Sequence, residues 1–147
     1  MIETVALPEL MVIGFVVEAP WTELPQAVPA AWRRLFAAPT GASNFLEASL
    51  SETGGVYREL VGYLAAAASD LPEGMERVVF PAGRYLRLRH EGPVTDIHLG
   101  FGRLLEHARA HGLAVEPLKL DFGYRSDGQD GAHELHVRLK DAVLRLA

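Results

Sequence analysis

Two glutamates stand in segments that alternate like β-strands, and each places a carboxylate among apolar or aromatic side chains. Glu59 shares a predicted strand face with three such residues, Tyr57, Val61 and Tyr63. Glu47 shares a face with Phe45 and Ser49. A carboxylate among aromatic rings loses hydration, so its pKa rises unless a cation or hydrogen bonds compensate. This arrangement favours a pocket that selects cations.

A third glutamate, Glu134, lies in a strand that permits two interpretations. Its predicted strand face also carries His136 and Arg138, whereas Leu135, Val137 and Leu139 occupy the opposite face. Such alternation is typical of a strand with one face in the core and one in solvent. A solvent-exposed edge of the sheet and a pocket position therefore both stay open for Glu134.

Aromatic side chains are candidates for pocket walls, and each is also a candidate for ordinary core. They are Trp21, Trp32, Phe45, Tyr63, Tyr85, Phe101, Phe122 and Tyr124. Tyr85 alternates in phase with Arg87 and Arg89, opposite Leu86 and Leu88. Either Tyr85 faces outward, or both faces of its strand are partly covered.

The histidines do not form a recognisable metal motif. His107 and His111 have the i, i+4 helical spacing that can bind a metal, but no carboxylate completes a set on that face. The spacing around His133 and His136 is wrong for the zinc-protease motif. The chain has no cysteine, which excludes disulfides and cysteine ligands. We expect neither a metal ion nor a cofactor.

The pattern of apolar residues and turn signals predicts which elements carry these side chains. One helix should begin at a Thr22 cap and stop at Pro39, and a second should run from a Thr95 cap to about His111, ended by Gly112. Ser126–Gly131 should form a turn. The predicted strands are 10–18, 44–50, 56–65, 77–80, 84–91, 118–124 and 133–139.

A short signature occurs twice in the chain. The segments 18–22 and 91–95 both read Glu-small-Pro-x-Thr and lie 73 residues apart, each between a predicted strand and a predicted helix. The order strand, helix, strand, strand therefore repeats, over about 8–68 and 76–140 of a single domain spanning 1–147. We expect an α+β fold made by tandem pseudo-twofold duplication, with an antiparallel sheet and two main helices on one side. A groove between the halves is the natural ligand site.

Composition limits the classes of function. Apolar residues make up 49% and the net charge is −5, without a basic run, so we expect no direct binding of nucleic acid. No apolar stretch approaches the ~20 residues of a membrane helix. The N-terminus lacks the pattern of a signal peptide, so we expect a cytoplasmic protein without membrane contact.

Most of the chain, from the first predicted strand to Leu139, resembles a known family, and the most specific motifs lie in its central run. The segments Leu71–Gly74, Val79–Tyr85 and His90–Pro93 together resemble the GyrI-like small-molecule-binding domain, which is also the effector-binding part of some AraC-type and MerR-type regulators. The resemblance implies a duplicated fold with an aromatic pocket at the junction of the halves. It also implies a buried pocket glutamate that pairs with cationic, lipophilic ligands.

The sequence departs from the family at one informative position. The strand before the last hairpin often reads Phe-Glu-x-Tyr in the family, whereas this chain has Phe122, Gly123 and Tyr124. The usual pocket carboxylate is missing there, and Glu47, Glu59 and Glu134 are the candidates to replace it. Glu134 matches an acidic residue that commonly opens the last strand of the family.

These observations predict a domain that binds a small molecule between its halves. The predicted ligand is apolar or amphipathic, and amphipathic cations are included. The predicted ligand-binding residues are Trp32, Phe45, Glu47, Glu59, Tyr63, Tyr85, Phe101, Phe122, Tyr124 and Glu134. No catalytic residue stands out, which favours binding over catalysis. Two alternatives stay open. One is a hydrolase of a reactive electrophile that uses a pocket glutamate as base. The other is an interaction module, such as a gyrase inhibitor, with a protein partner or a second copy of itself.

Overall fold

The computed structural model describes residues 1–128 and 131–141, and within them each half of the chain has the same order of elements. The first half contains β1 (Ile2–Leu7), β2 (Leu10–Pro20), α1 (Leu24–Ala37), β3 (Phe45–Thr53) and β4 (Val56–Leu64). The second half contains β5 (Glu76–Phe80), β6 (Gly83–His90), α2 (Ile97–Ala110), β7 (Val115–Tyr124) and β8 (His133–Leu139).

The strands form one antiparallel sheet whose order shows the internal symmetry. The order is β1-β6-β8-β7-β3-β4-β2-β5, and exchanging each strand with its counterpart in the other half gives the same order reversed. Strands β3 and β7 meet at the centre, with Glu47 opposite Asp121. The fold is α+β, and the duplicated-unit description fits it.

Each end strand of the sheet pairs with a strand from the other half of the chain, and sequence analysis missed one of these end strands. Strand β1 pairs with β6, and its counterpart β5 pairs with β2. Each half therefore has a strand before its strand-helix-strand-strand order, and the repeat extends further toward the N-terminus than residue 8. The predicted turn Ser126–Gly131 lies partly outside the described residues.

The two helices begin in the same way, at equivalent positions. A 3-10 turn follows Pro20 at Trp21–Glu23, and another follows Pro93 at Val94–Asp96. The helix begins directly after each turn, and neither helix has a side-chain capping hydrogen bond. The prediction that Thr22 and Thr95 cap the helices was therefore wrong, because a proline-initiated 3-10 turn precedes each helix. Gly112 does end α2, with a positive φ of 64°.

Each helix covers its own half of the sheet, so neither helix covers the centre of that face. Helix α1 packs against β2 and β4, and α2 packs against β6 and β8. Two hydrophobic clusters lie beneath the helices, one centred on Trp32 and Leu35 and the other on Leu104 and Leu135. The gap between the helices therefore lies above β3 and β7.

The opposite face of the sheet is also buried. Leu46, Leu60 and Leu120 are fully buried there in a third cluster, together with Tyr85. Because both helices lie on the other side, the described residues that close this cluster all come from strands, which requires the sheet to curve around it. Tyr85 is 1% exposed, so both faces of its strand are covered.

The last strand is central in the sheet, and its predicted solvent face is mostly buried. His136 and Arg138 are 3% and 7% exposed, so solvent does not reach that face of β8 as its alternation suggested. The Arg138 guanidinium donates to the carbonyl of Pro81 at 2.9 Å and to the hydroxyl of Tyr85 at 3.0 Å. Glu134 is half-exposed at the end of this strand and lies 3.7 Å from Arg87. Among the described residues, no helix is both long and apolar enough to cross a bilayer.

Candidate functional site

A groove of about 610 Å³ opens above the centre of the sheet, between the two helices. Its volume lies in the range typical of small-molecule sites. Both halves contribute, although the first half supplies more of the wall. The lining residues are Trp21, Leu24, Pro25, Val28, Pro29, Trp32, Glu47, Ser49, Glu59, Val94, His98 and Tyr124.

Aromatic rings form one wall and the rim of this groove. Trp32 on α1 stacks on Tyr124 of β7 with ring centroids 4.3 Å apart. Phe36, one turn further along α1, stacks on the indole of Trp32 with ring centroids 5.1 Å apart. At the rim, Trp21 is 69% exposed and lies 5.5 Å from the ring of Tyr57. An exposed tryptophan at the mouth of a groove is a ready contact for a flat apolar ligand.

The floor of the groove carries the carboxylate of Glu47. The indole N–H of Trp32 donates to its Oε1 at 3.3 Å, and the Tyr124 hydroxyl lies 2.8 Å from its Oε2. Burial raises the pKa of Glu47, and the charge of Asp121 adds to this, whereas the Tyr124 and Trp32 hydrogen bonds lower it. Glu47 is therefore held in place by hydrogen-bond contacts to two aromatic side chains, in a site that disfavours its ionised form.

A second carboxylate, Glu59, lies beside it on the neighbouring strand. The Ser49 hydroxyl donates to its Oε2 at 2.9 Å. Burial raises the pKa of Glu59 to about 7, and the charge of Glu47 acts in the same sense, against the opposing effects of Ser49 and Lys119. Neither Glu47 nor Glu59 forms an ion pair with any residue that the structure describes.

Behind the floor, two buried polar residues continue the hydrogen-bond chain. The Tyr124 hydroxyl lies 2.8 Å from Oδ2 of Asp121, and Nδ1 of His133 lies 2.7 Å from Oδ1 of the same carboxylate. Asp121 and His133 are 3% and 2% exposed. The pKa of the Tyr124 hydroxyl is raised, first by burial and then by the charges of Glu47 and Asp121.

The structure brings four of the residues predicted from sequence into the groove and places the other six elsewhere. Those in the lining are Trp32, Glu47, Glu59 and Tyr124. Phe45 packs edge-on behind Trp32, and Tyr63 lies in the cluster beneath α1. Phe101 packs in the cluster beneath α2. Tyr85 and Phe122 belong to the cluster on the opposite face, where Glu134 lies beside Arg87.

Sequence reasoning missed Asp121 and His133 as parts of the site. A signal was present, because His133 shares its strand face with the apolar Leu135 and Val137. A histidine on the apolar face of a central strand needs a buried partner, and Asp121 supplies it.

Local backbone geometry explains the missing glutamate at position 123. Gly123 has a φ of 122°, which side-chain-bearing residues rarely adopt. A Cβ atom there would lie 2.5 Å from the carbonyl oxygen of Ala132 and 3.0 Å from the Cα of His133. This backbone excludes any side chain at that point, so the groove's carboxylates come from β3 and β4 instead.

Several solved structures share this fold at low sequence identity. SAV2435 bound to tetraphenylphosphonium superposes with a TM-score of 0.72 at 12% identity, covering 95% of this chain and 94% of that one. The EcmrR C-terminal domain gives a TM-score of 0.67 at 12% identity, covering 97% and 98%. A hydrolase from Listeria innocua gives 0.56 at 13% identity, covering 95% and 91%.

Comparison at the level of sequence identifies the family. No curated protein matches the chain significantly. Residues 1–135, which include every strand and helix up to the start of β8, match the family described as the GyrI-like small molecule binding domain. The chain therefore belongs to the family of GyrI-like small-molecule-binding domains.

Proposed function

We propose that this protein binds an amphipathic, cationic small molecule in the groove between its halves. The observation that carries the proposal is the pair of carboxylates, Glu47 and Glu59, on the floor of a groove lined mainly by apolar and aromatic side chains. Neither carboxylate has an ion-pair partner among the described residues. A ligand cation would favour the ionised carboxylates and offset their loss of hydration.

The wall of the groove supports the same ligand class. The faces of aromatic rings attract cations, and Trp is the best of the aromatic residues in this respect. Trp21 and Trp32 both line the groove. The similar structure of SAV2435 is described as bound to tetraphenylphosphonium, a cation whose charge is surrounded by four phenyl rings. That chemistry is what a groove with an acidic floor and an aromatic wall selects.

Intrinsic fluorescence gives a direct test. The chain has two tryptophans, and both line the groove, so a bound ligand should change the emission of each. Titration with tetraphenylphosphonium should give a saturable change. The double variant Glu47→Gln/Glu59→Gln should bind at least tenfold more weakly, equivalent to about 1.4 kcal/mol.

Two controls separate charge from shape. Triphenylphosphine oxide is neutral and of similar shape, and its affinity should be nearly the same for the wild type and the double variant. Glu134→Gln removes a carboxylate from the other face of the sheet and should leave tetraphenylphosphonium binding unchanged. No saturable change with any lipophilic cation, or equal affinity in the double variant, would reject the proposal.

We propose hydrolysis of a reactive electrophile as the second candidate function. Glu59 supports it, because a carboxyl group with a pKa of about 7 can act as a general base near neutral pH. Incubation with an activated cyclopropane and detection of the ring-opened product tests it. Turnover should fall by roughly 10²-fold or more in Glu59→Gln, because a general base contributes at least that factor to the rate. Product formation no faster than in buffer, or unchanged in that variant, would reject it.

A further inference from the structure

The hydroxyl of Tyr124 lies between two carboxylates, and this geometry fixes a count of protons. It is 2.8 Å from Oε2 of Glu47 and 2.8 Å from Oδ2 of Asp121. Both distances are those of good O–H···O hydrogen bonds. A tyrosine hydroxyl has one hydrogen, so it can donate to only one of them. For both contacts to be hydrogen bonds, the other carboxyl group must itself carry a proton and donate to the Tyr124 oxygen.

The remaining contacts of the two carboxyl groups differ in length. Nδ1 of His133 lies 2.7 Å from Oδ1 of Asp121, whereas the Trp32 N–H donates to Oε1 of Glu47 at 3.3 Å. A shorter hydrogen bond from an N–H donor favours the ionised carboxylate more strongly, so Asp121 is the better site for the negative charge and Oε2 of Glu47 the better site for the proton. The chain then runs in one direction, from Glu47 to the Tyr124 oxygen and from the Tyr124 hydroxyl to Asp121. Burial, which raises the pKa of Glu47, acts in the same sense.

We propose that Glu47 is a neutral carboxylic acid in the ligand-free protein and that a cation bound in the groove displaces its proton, so that the protein exchanges one proton for one cation. This inference rests on the proposed function. In the step, the O–H bond at Oε2 of Glu47 breaks, both bonding electrons stay on the oxygen, and the proton passes through the open groove to bulk water. The bound cation then faces a carboxylate.

Other groups around Glu47 define what must be controlled. Its neighbour Glu59 titrates near neutral pH and could also release a proton when a cation binds. His98 also lines the groove, at its rim. The titratable or charged groups that face the floor and rim come from five elements, namely Glu47 on β3, Glu59 on β4, Lys119, Asp121 and Tyr124 on β7, His133 on β8 and His98 on α2.

Calorimetry with tetraphenylphosphonium as the probe measures the exchange. The observed binding enthalpy, plotted against the ionisation enthalpy of several buffers at one near-neutral pH, has a negative slope whose magnitude is the number of protons released to the buffer. In the Glu59→Gln background, where Glu59 cannot contribute, we expect close to one proton per ligand. Adding Glu47→Gln should reduce that number nearly to zero. The amide introduced by Glu47→Gln retains an acceptor for Trp32 and supplies a donor for Tyr124, so this variant keeps the hydrogen-bond pattern of the neutral acid.

Infrared difference spectroscopy tests the same step in the unaltered protein. Ligand binding should remove the C=O stretch of a protonated carboxylic acid, and this loss should be retained in Glu59→Gln but absent in the double variant Glu47→Gln/Glu59→Gln. Binding of the cation without proton release in the Glu59→Gln background overturns this inference and leaves the proposed function standing. Proton release that persists when Glu47→Gln is added to the Glu59→Gln background also overturns it. Absence of any binding rejects the proposed function itself.

Discussion

Replacing Glu59 by Gln should raise the free energy of unfolding above neutral pH, although it removes a negative charge from the groove. Burial raises the pKa of Glu59 from 4.5 to about 7, so the folded state opposes its ionisation. Each pKa unit corresponds to about 1.4 kcal/mol, which sets an upper limit of about 3.4 kcal/mol on the stability lost when the group ionises. Glu59 keeps part of its surface in water, and solvent screening reduces the expected gain to roughly 1.5–2 kcal/mol.

The sign follows from the raised pKa. The folded protein binds more protons than the unfolded chain between pH 4.5 and about 7, so the contribution of Glu59 to stability is fully present below 4.5 and is lost as the pH rises through 7. Denaturant unfolding of wild type and Glu59→Gln should therefore give curves that separate across this window and run parallel above it. The difference between the two proteins isolates Glu59 from other groups that titrate in the same range.

An exposed carboxylate supplies the matched control. Glu73→Gln changes a glutamate in the loop before β5 and should shift stability by no more than about 0.5 kcal/mol at any pH. The reasoning would be refuted if Glu59→Gln had the same stability as wild type above pH 7, or if its effect appeared equally below pH 4.5. Either result would mean that the groove solvates Glu59 as water does.

Three further predictions concern residues around the groove, and denaturant unfolding measures each of them. Gly123→Ala should cost about 2–3 kcal/mol, because its Cβ would meet the Ala132 carbonyl at 2.5 Å in a backbone with φ of 122°. Gly102→Ala, in an open position of α2, should instead stabilise by about 0.5–1 kcal/mol. Arg138→Lys should cost about 2–3 kcal/mol, since it loses the donors to Pro81 and Tyr85. Burial lowers the pKa of His136 from 6.5 to about 4, so the wild type should lose stability relative to His136→Asn as the pH falls through that range. Equal stability of Gly123→Ala and Gly102→Ala, no loss in Arg138→Lys, or a difference between wild type and His136→Asn that does not change with pH would each contradict the corresponding prediction.

The fold was largely predictable from sequence because its halves repeat the same local signals. The strand-to-helix corners at 18–22 and 91–95 lie 73 residues apart, and α1 and α2 begin at Leu24 and Ile97 with the same separation. Strand β1 was missed because Ile2–Leu7 follows the first residue directly and borders no turn signal at its start. Its partner β6 lies in the other half of the chain, a pairing that local pattern does not encode.

The groove was only partly predictable, because strand alternation shows which residues share a face of the sheet but not what packs against that face. Alternation predicted that Glu59 shares a face with Val61 and Tyr63, and in the structure that face lies beneath the helices. Alternation also predicted that Glu134 shares a face with His136 and Arg138, and in the structure the curved sheet buries most of that face. Curvature depends on all the strands of the sheet together, so no single segment reveals it. Which aromatic side chains form groove wall and which form core depends on where the helices stop.

A crystal structure of the complex with tetraphenylphosphonium tests the central claim most directly. We expect the phosphonium centre in the groove, with phenyl rings against Trp32 and Tyr124 and the charge facing the carboxylates of Glu47 and Glu59. A ligand bound anywhere else on the protein, or a groove that stays closed to the cation at saturating concentration, would contradict the account.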